Sequence, residues 1–211
     1  MFKTIKAAEK VAETLSQPSK MPCFSYSIPA QKCITGMKLR DIKGSVCNSC
    51  YALKGRYSFP NVKDALFRRF ETLKNPLWVD AMVFMIGKRE KSGFFRFFDS
   101  GDIQGEWHLT NIVEVAKRLP QIKFWIPTRE YGIVSKWLAA NGSFPENVTV
   151  RLSAYMVEGE APVELAKRLG LVSSSVSRSG FSCPSSVQEG KCRDCRACWD
   201  KNNSNISYKR H

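Results

Sequence analysis

Cysteine is the residue of this sequence best suited to chemistry, and its eight copies fall into two groups. Four lie in the first quarter of the chain and four near its other end: Cys23, Cys33, Cys47 and Cys50, and Cys183, Cys192, Cys195 and Cys198. The chain is long enough to form a hydrophobic core without disulfides. In a reducing cytosol, thiols serve as metal ligands more often than as disulfide partners. The two groups therefore predict two cysteine-ligated metal sites.

The C-terminal group favours a [4Fe–4S] cluster. Cys192, Cys195 and Cys198 form a C-x2-C-x2-C run, and Cys183 precedes Pro184. Zinc sites usually take their thiolates as separated C-x2-C pairs. Three closely spaced cysteines, with a fourth from elsewhere that is often followed by proline, are instead typical of an iron–sulfur cubane. Zinc is the alternative metal, and the charged residues between these thiols argue against cysteines that only fill a core.

The N-terminal group offers three or four ligands. Cys47 and Cys50 form one C-x2-C pair, and loops must bring Cys33 and Cys23 to it. A cluster held by three thiolates keeps one iron open to a substrate or cofactor, which is a catalytic arrangement. Four thiolates close the cluster, which then serves structure or electron transfer. Iron–sulfur and zinc are both open alternatives at this end of the chain.

Helices and short apolar strands alternate between the two cysteine groups. Helices are predicted over 62–73, from Pro76 onward, and over 107–119, 133–140 and 162–169, and strands over 94–98, 122–126, 148–152 and 171–176. This series predicts an α/β fold with parallel strands and right-handed crossovers, as an open, doubly wound sheet or as a partial or complete (β/α) barrel. We expect one domain, 1–211, whose βα core at 61–180 lies between metal-binding, cysteine-rich segments at 1–60, which opens with a helix, and 181–211.

Polar residues follow the predicted strands, at the edge where parallel α/β folds gather their chemistry. They are Asp99, Ser100, Asp102, Thr128, Arg129, Arg151, Ser153 and Ser173 to Ser175. As a set they predict the mouth of a substrate or cofactor site, with Asp99, Ser100, Asp102, Arg129 and Arg151 as its main candidates. Histidine catalysis is not expected, because the sequence has only His108 and His211. His108 is predicted to be a surface or capping residue at a helix start.

The charge balance points to an anionic partner. The 211 residues include 33 Lys and Arg against 19 Asp and Glu, a net charge of +14. Metal–thiolate sites would offset only part of this excess, and the remainder fits a nucleic acid or another polyanion. No apolar run approaches the roughly 18 residues of a membrane span, and the amphipathic opening segment lacks the apolar stretch of a secretory signal. We therefore expect a cytoplasmic protein without membrane contact.

Three segments resemble the phage gene product 88 family. They are CNSCYALKGRY at 47–57, FRFFDSGD at 95–102 and the run CRDCRACW at 192–199. The likeness covers most of the chain from Cys23 onward. It implies a phage origin, and with it the host cytoplasm as location, but no particular activity.

A more distant similarity is to the radical SAM enzymes, which place a three-cysteine site before a βα series and often carry further clusters. It implies a partial (β/α) barrel, a [4Fe–4S] cluster with one open iron held by Cys33, Cys47 and Cys50, and S-adenosylmethionine as cofactor. Lys43 stands where the C-x3-C-x2-C signature of those enzymes has its first cysteine. The competing hypothesis is a non-enzymatic nucleic-acid-binding module in which iron–sulfur or zinc sites only stabilise the structure.

Overall fold

Seven parallel strands form a single sheet in the computed structural model, which describes residues 2–177 and 179–209. The strands are β1 (Ser25–Tyr26), β2 (Phe94–Phe97), β3 (Lys123–Thr128), β4 (Val148–Val157), β5 (Val172–Val176), β6 (Phe181–Ser182) and β7 (Asn205–Ser207). The helices are α1 (Ile5–Ala12), α2 (Ile34–Leu39), α3 (Pro60–Thr72), α4 (Trp78–Arg89), α5 (Glu106–Lys117), α6 (Tyr131–Asn141) and α7 (Val163–Arg168). The expectation of a parallel βα fold is confirmed.

The strand order places the helices on one face of the sheet. The order is β1-β2-β3-β4-β5-β7-β6, so the first five strands are neighbours in chain order. Right-handed crossovers between sequential parallel neighbours put every connecting helix on the same side. In agreement, α4 packs against α5 and α5 against α6. The strand order does not reverse between β1 and β5, so this part of the sheet lacks the switch point of a doubly wound fold. It is an open sheet whose two edges are β1 and β6.

Alternation along the strands builds the core under the helices. Phe95 and Phe97 of β2 and Phe124 of β3 are fully buried on the helical side, and Trp78 of α4 packs there with no exposed surface. Burial of one such side chain contributes about 1.5–3 kcal/mol. This apolar core holds the helices on the sheet, and the sheet in turn positions the residues at the strand ends.

The C-terminal cysteine segment covers the opposite face of the sheet. Trp199 packs edge-on against Trp125 of β3 and Phe94 of β2, with ring centroids 5.3 Å apart in both pairs. Its indole N–H donates to the carbonyl of Phe95 at 2.9 Å, and the hydroxyl of Thr149 donates to the carbonyl of Trp199 at 2.8 Å. In a doubly wound fold, a second layer of helices would cover this face of the sheet; here the C-terminal segment covers it.

Strand β4 runs five residues past its predicted end at Leu152. The loop before Cys47 supplies the reason, because the Val46 amide donates to the Tyr155 carbonyl at 2.8 Å and the Val157 amide donates to the Gly44 carbonyl at 2.9 Å. Three short strands, β1, β6 and β7, lie in the cysteine-rich segments and were not predicted. Their two or three residues carry no periodic pattern, and only pairing with the sheet makes them strands.

The prediction of His108 at the surface was wrong, because the residue is buried at the start of α5. Its ring has no exposed surface and lies edge-on to Trp78 and Phe98, at centroid distances of 5.9 and 5.8 Å. Nδ1 accepts the Gln104 amide at 3.3 Å. Within the described residues, Nε2 has no partner. Burial lowers the pKa of His108 to about 3, so the imidazole is neutral at neutral pH. Among the helices that the structure describes, none has both the length and the apolar character needed to cross a membrane.

Candidate functional site

Three thiols come together in the long loop after β1. A Cβ added to Gly36 would lie 3.6 Å from Cys33 Sγ and 3.5 Å from Cys47 Sγ, so the two sulfurs are within about 7 Å of each other. Burial raises the pKa of the Cys33 thiol, and Asp102, Cys50 and Cys47 raise it further. The loop thus places Cys33, Cys47 and Cys50 in one cluster, which we call the three-thiol site.

A buried carboxylate at the end of β3 holds the part of the loop that carries Cys33. The backbone N–H and the hydroxyl of Thr35 both donate to Glu130, each at 2.7 Å. Glu130 is 4% exposed, so this double hydrogen bond is shielded from water. Sequence reasoning missed Glu130, although it directly follows the predicted mouth residues Thr128 and Arg129.

The other two thiols are tied to other strand ends. The hydrogen bonds of the 44–46 segment to β4 hold the loop just before Cys47. Tyr51, which follows Cys50, donates its hydroxyl proton to the carbonyl of Asp99 beyond β2. Each thiol is therefore anchored to a different strand, and the three strands together set where the thiols lie.

Two of the predicted mouth residues, Asp102 and Arg129, lie beside the three-thiol site. Asp102 accepts the Thr128 hydroxyl at 2.6 Å and the Arg129 amide at 2.8 Å. Burial nevertheless raises the pKa of Asp102 to about 6. The Arg129 guanidinium donates through Nε to the Ala154 carbonyl at 3.1 Å. Its charge lowers the pKa of Cys47, although burial raises that pKa more.

Asp99 and Ser100 have structural partners at the same edge. Asp99 accepts the Ser25 hydroxyl at 2.6 Å and forms a salt bridge with Arg96 at 3.0 Å. Ser100 is buried and donates to the Ile28 carbonyl at 2.7 Å. Gly101 follows with φ +79°, and a Cβ there would lie 2.3 Å from Ile28 Cγ1. Asp99 and Ser100 therefore hold β1 and the residues after it against the end of β2.

Arg151 is not at the mouth. Because β4 continues to Val157, Arg151 lies in the middle of the strand and has no exposed surface. Its guanidinium faces the C-terminal segment and donates to five carbonyls at 2.7–3.0 Å, those of Ser173, Ala197, Cys198, Asp200 and Asn203. Its role here is to hold the C-terminal cysteine segment on the sheet.

Cys23 lies with the C-terminal cysteines rather than with its sequence neighbours. It packs with Trp125, Trp199 and Cys198. Burial, followed by nearby carboxylates and by Cys192, raises the pKa of the Cys23 thiol. The structure therefore divides the eight thiols into a group of three and a group of five.

The group of five brings together segments from the two ends of the chain. The Cys192 amide donates to the Lys20 carbonyl at 2.9 Å, which brings the two segments together. The Cys183 amide donates to the Ser207 carbonyl of β7 at 2.8 Å. Cys198 Sγ lies 3.1 Å from the hydroxyl of Tyr208. Burial raises the pKa of Cys198 to about 12, against the lowering effects of that hydroxyl and of nearby arginines.

Arg96 lies between the two thiol groups and was not predicted. Its charge interacts with Asp99 and Tyr51 on one side and with Tyr208 and Cys198 on the other, and these raise its pKa although burial alone would lower it. An arginine inside the apolar run of β2 is the signal that could have identified it.

The thiols of the described residues do not have the spacing of a site for a single metal ion. In the described part of the chain, no three Cys, His, Asp or Glu side chains converge closely enough to hold one ion. Four thiolates around a single zinc at about 2.3 Å lie roughly 3.8 Å apart, whereas a four-iron cubane takes more widely spaced thiolates. Thiolates are suitable donors for either group. Metal binding by both segments stays a prediction.

A cleft of about 790 Å³ opens at the other end of the strands, near the starts of β2, β3 and β4. Four cations line it together with two carboxylates, Lys117, Lys123, Arg196 and Lys201 with Glu146 and Asp200. None of the predicted mouth residues lines this cleft. It is therefore separate from the three-thiol site.

Comparison with known proteins identifies a family. A family model described as gene product 88 matches residues 2–201 of the chain. No curated protein and no solved structure matches it. The likeness to gene product 88 proteins is thereby confirmed over nearly the whole length, whereas the similarity to radical SAM enzymes stays a prediction.

Proposed function

We propose that this chain, which belongs to the gene product 88 family, is an iron–sulfur protein with two cysteine-ligated sites, one of them catalytic. The observation that carries the proposal is the grouping of Cys33, Cys47 and Cys50 at the ends of three parallel strands, with no fourth cysteine beside them in the described residues. A [4Fe–4S] cluster held by three thiolates leaves one iron for an external ligand, and it supplies one-electron chemistry there.

The residues around this site suit a small charged cofactor. The two terminal nitrogens of Arg129 make no hydrogen bond within the described residues, while Nε is fixed by Ala154. A guanidinium held in this way can bind a carboxylate through two parallel hydrogen bonds. Asp102 holds the backbone of Arg129 in place. This geometry supports the radical-SAM-like version of the proposal, in which Arg129 binds the carboxylate of S-adenosylmethionine.

The second site serves as a closed cluster. Cys183, Cys192, Cys195 and Cys198 provide four thiolates, enough to close a cubane against external ligands. Arg151 and Tyr208 hold the segment that carries them against the sheet. This environment supports a structural or electron-transfer role rather than substrate binding.

Iron, zinc and acid-labile sulfide measured on anaerobically purified protein test the proposal. Two cubane clusters require about eight irons and as many sulfides per chain. We expect Cys50→Ser to lose the iron of the first site only, and Cys195→Ser to lose that of the second. Roughly two zincs without sulfide would overturn the proposal.

S-adenosylmethionine cleavage tests the catalytic version separately. With dithionite as reductant, we expect methionine and 5′-deoxyadenosine from the fully loaded protein, and a change in the spectrum of the reduced first cluster when the cofactor is added. Cys50→Ser should abolish both, and Arg129→Gln should weaken cofactor binding. A fully loaded, reduced protein that neither binds nor cleaves the cofactor would contradict this version while leaving the metal assignment intact.

The non-enzymatic nucleic-acid-binding module is the alternative function. Its support is the net charge of +14, which favours any polyanion. Zinc in place of iron would favour this alternative, because the thiols would then act only as structural staples.

A further inference from the structure

The loop that carries the three-thiol site exposes an unusual surface, which we call the thiol rim. It consists of five cations and five apolar side chains: Lys32, Lys38, Lys43, Lys54 and Arg56, and Ile34, Met37, Ile42, Phe59 and Met156. All of these side chains are exposed. All except Met156 belong to the segment 32–59, which contains the three thiols. Met156 lies at the end of β4 and joins this segment through its bridge to Ser45.

The cations of the thiol rim have no carboxylate partner in the part of the chain that the structure describes. The segment 32–59 has six basic residues and one acidic residue, Asp41. Within the described residues, none of the five exposed cations forms a salt bridge with a carboxylate, and Lys32 lies over the ring of Phe70 at 4.9 Å. Uncompensated charge concentrated on one loop attracts a polyanion to that loop.

Large apolar side chains lie among these cations. Phe59 is 56% exposed and Ile42 46%. Of the ten large apolar residues exposed in the described part of the chain, six come from the segment 32–59 or from Met156. Clustered apolar exposure on a monomer marks an interaction surface. Cations interleaved with an aromatic and with aliphatic side chains suit a ligand that carries both phosphates and flat bases.

We propose that the thiol rim binds single-stranded nucleic acid and presents a nucleotide to the three-thiol site. The cations would neutralise phosphates, and Phe59 would stack on an unpaired base. The assignment of the strand as substrate rests on the proposed function, but binding at the rim does not. The cleft at the other end of the strands is less suited to a polyanion, because Glu146 and Asp200 line it beside its cations.

Fluorescence anisotropy with labelled 20-nucleotide single strands of DNA and RNA tests the proposal on the metal-loaded protein. We expect Lys38→Gln/Lys43→Gln/Lys54→Gln to weaken binding at least tenfold at 100 mM salt. The slope of log affinity against log salt should fall by about two, since each phosphate contact in a single strand contributes about 0.7. The matched control is Lys117→Gln/Lys123→Gln/Lys201→Gln, which removes the same charge from the cleft and should cost less than threefold.

An aromatic pair of variants separates stacking from charge. Phe59→Ala should weaken binding about fivefold or more, because stacking of one base on an aromatic ring is worth about 1–3 kcal/mol. Phe181→Ala, which removes a ring exposed by 43% on the edge strand β6, should leave the affinity unchanged.

Four outcomes would overturn the inference. They are absence of binding at low salt, equal losses in the two lysine variants, a larger loss in the cleft variant, and unchanged binding in Phe59→Ala. Iron content and thermal unfolding of each variant are measured alongside, so that misfolding is recognised. Failure of the iron–sulfur proposal would appear in the metal analysis, whereas failure of the rim proposal would appear in the anisotropy of correctly folded protein.

Discussion

At the scale of single residues, Gly36 shows how closely the sequence is adapted to the three-thiol site. Helix α2 brings its Cα against the sulfurs of Cys33 and Cys47, and a Cβ there would lie only 2.9 Å from the Cβ of Cys33. The glycine is needed for space rather than for backbone conformation. A methyl group at this position would push Cys33 away from its partners.

Gly36→Ala should therefore lower metal loading of the first site. We expect the variant to lose most of the iron that Cys50→Ser loses, with the second site unchanged, as measured by iron and sulfide content. Gly132→Ala is the control, because a Cβ on Gly132 in α6 meets nothing within 4 Å and alanine is the better helix former. Full iron loading of Gly36→Ala would contradict the packing argument.

His108 predicts an acid dependence of stability. Its pKa is about 3 in the folded chain, against about 6.5 in an unfolded one. The unfolded state therefore binds more protons between these values, so the free energy of unfolding falls as the pH drops below about 6.5. This loss of unfolding free energy amounts to about 4 kcal/mol near pH 3 and is close to zero above about pH 7.

His108→Phe keeps an aromatic ring among Trp78 and Phe98 and removes the titration. The difference in unfolding free energy between wild type and variant, measured by urea titration at pH 7 and pH 5, should shift by about 2 kcal/mol in favour of the variant at the lower pH. A constant difference between the two pH values would show that His108 does not titrate as described.

At the scale of elements, the loop after β1 depends on the ends of β2, β3 and β4. Each of these strands contributes at least one attachment, through the Asp99 carbonyl, the Glu130 carboxylate and the Tyr155 carbonyl. Of these, the Glu130 attachment depends on a side-chain acceptor, so a point substitution can remove it. The position of Cys33 should depend on this carboxylate.

Glu130→Gln should loosen the part of the loop that carries Cys33. The amide offers one acceptor oxygen where the carboxylate accepts two hydrogen bonds from Thr35, and a buried donor left unpaired costs about 1–3 kcal/mol. We expect iron loss at the first site and faster alkylation of Cys33 by iodoacetamide in the metal-free protein, read by mass spectrometry. Glu164→Gln, on the exposed side of α7, should change neither, and equal behaviour of the two variants would refute the attachment.

At the scale of the whole molecule, the C-terminal cysteine segment is part of the fold and not an appendage. Strand β7 pairs with β5 inside the sheet order, and Trp199 fills the face that the helices leave open. Arg151 of β4 joins the sheet to this segment through five hydrogen bonds to backbone carbonyls. Cys23, from the other end of the chain, joins the same assembly.

Arg151→Met should destabilise the entire chain. The substitution keeps much of the side-chain volume but leaves buried carbonyls without their charged donor, and hydrogen bonds to charged groups are worth about 1.5–3 kcal/mol each. We expect a loss of at least about 3 kcal/mol in urea unfolding and loss of iron from the second site. Arg168→Met, at an exposed position at the end of α7, should stay within about 0.5 kcal/mol of wild type, and a comparable effect of the two substitutions would contradict the role of Arg151.

The sequence by itself determined the features that are periodic or local. Apolar alternation and helical spacing predicted every strand and helix from α3 to β5, because those patterns follow from which side chains a strand or helix buries. The resemblance to the gene product 88 family rested on three local segments, and the family match over residues 2–201 confirms it. Asp102 and Arg129 were predicted at the mouth because the ends of parallel strands share one edge.

The tertiary structure decided how distant segments meet. Cys23 is close to Cys33 along the chain but lies with Cys198 in space, because it packs against Trp125 and Trp199 on the face of the sheet that the C-terminal segment covers. Arg151 and His108 were misplaced for a related reason. Burial depends on what covers a residue. The C-terminal segment, about fifty residues further along the chain, covers Arg151, and the rings of Trp78 and Phe98 cover His108. No local pattern encodes such contacts, because they arise only when the sheet forms.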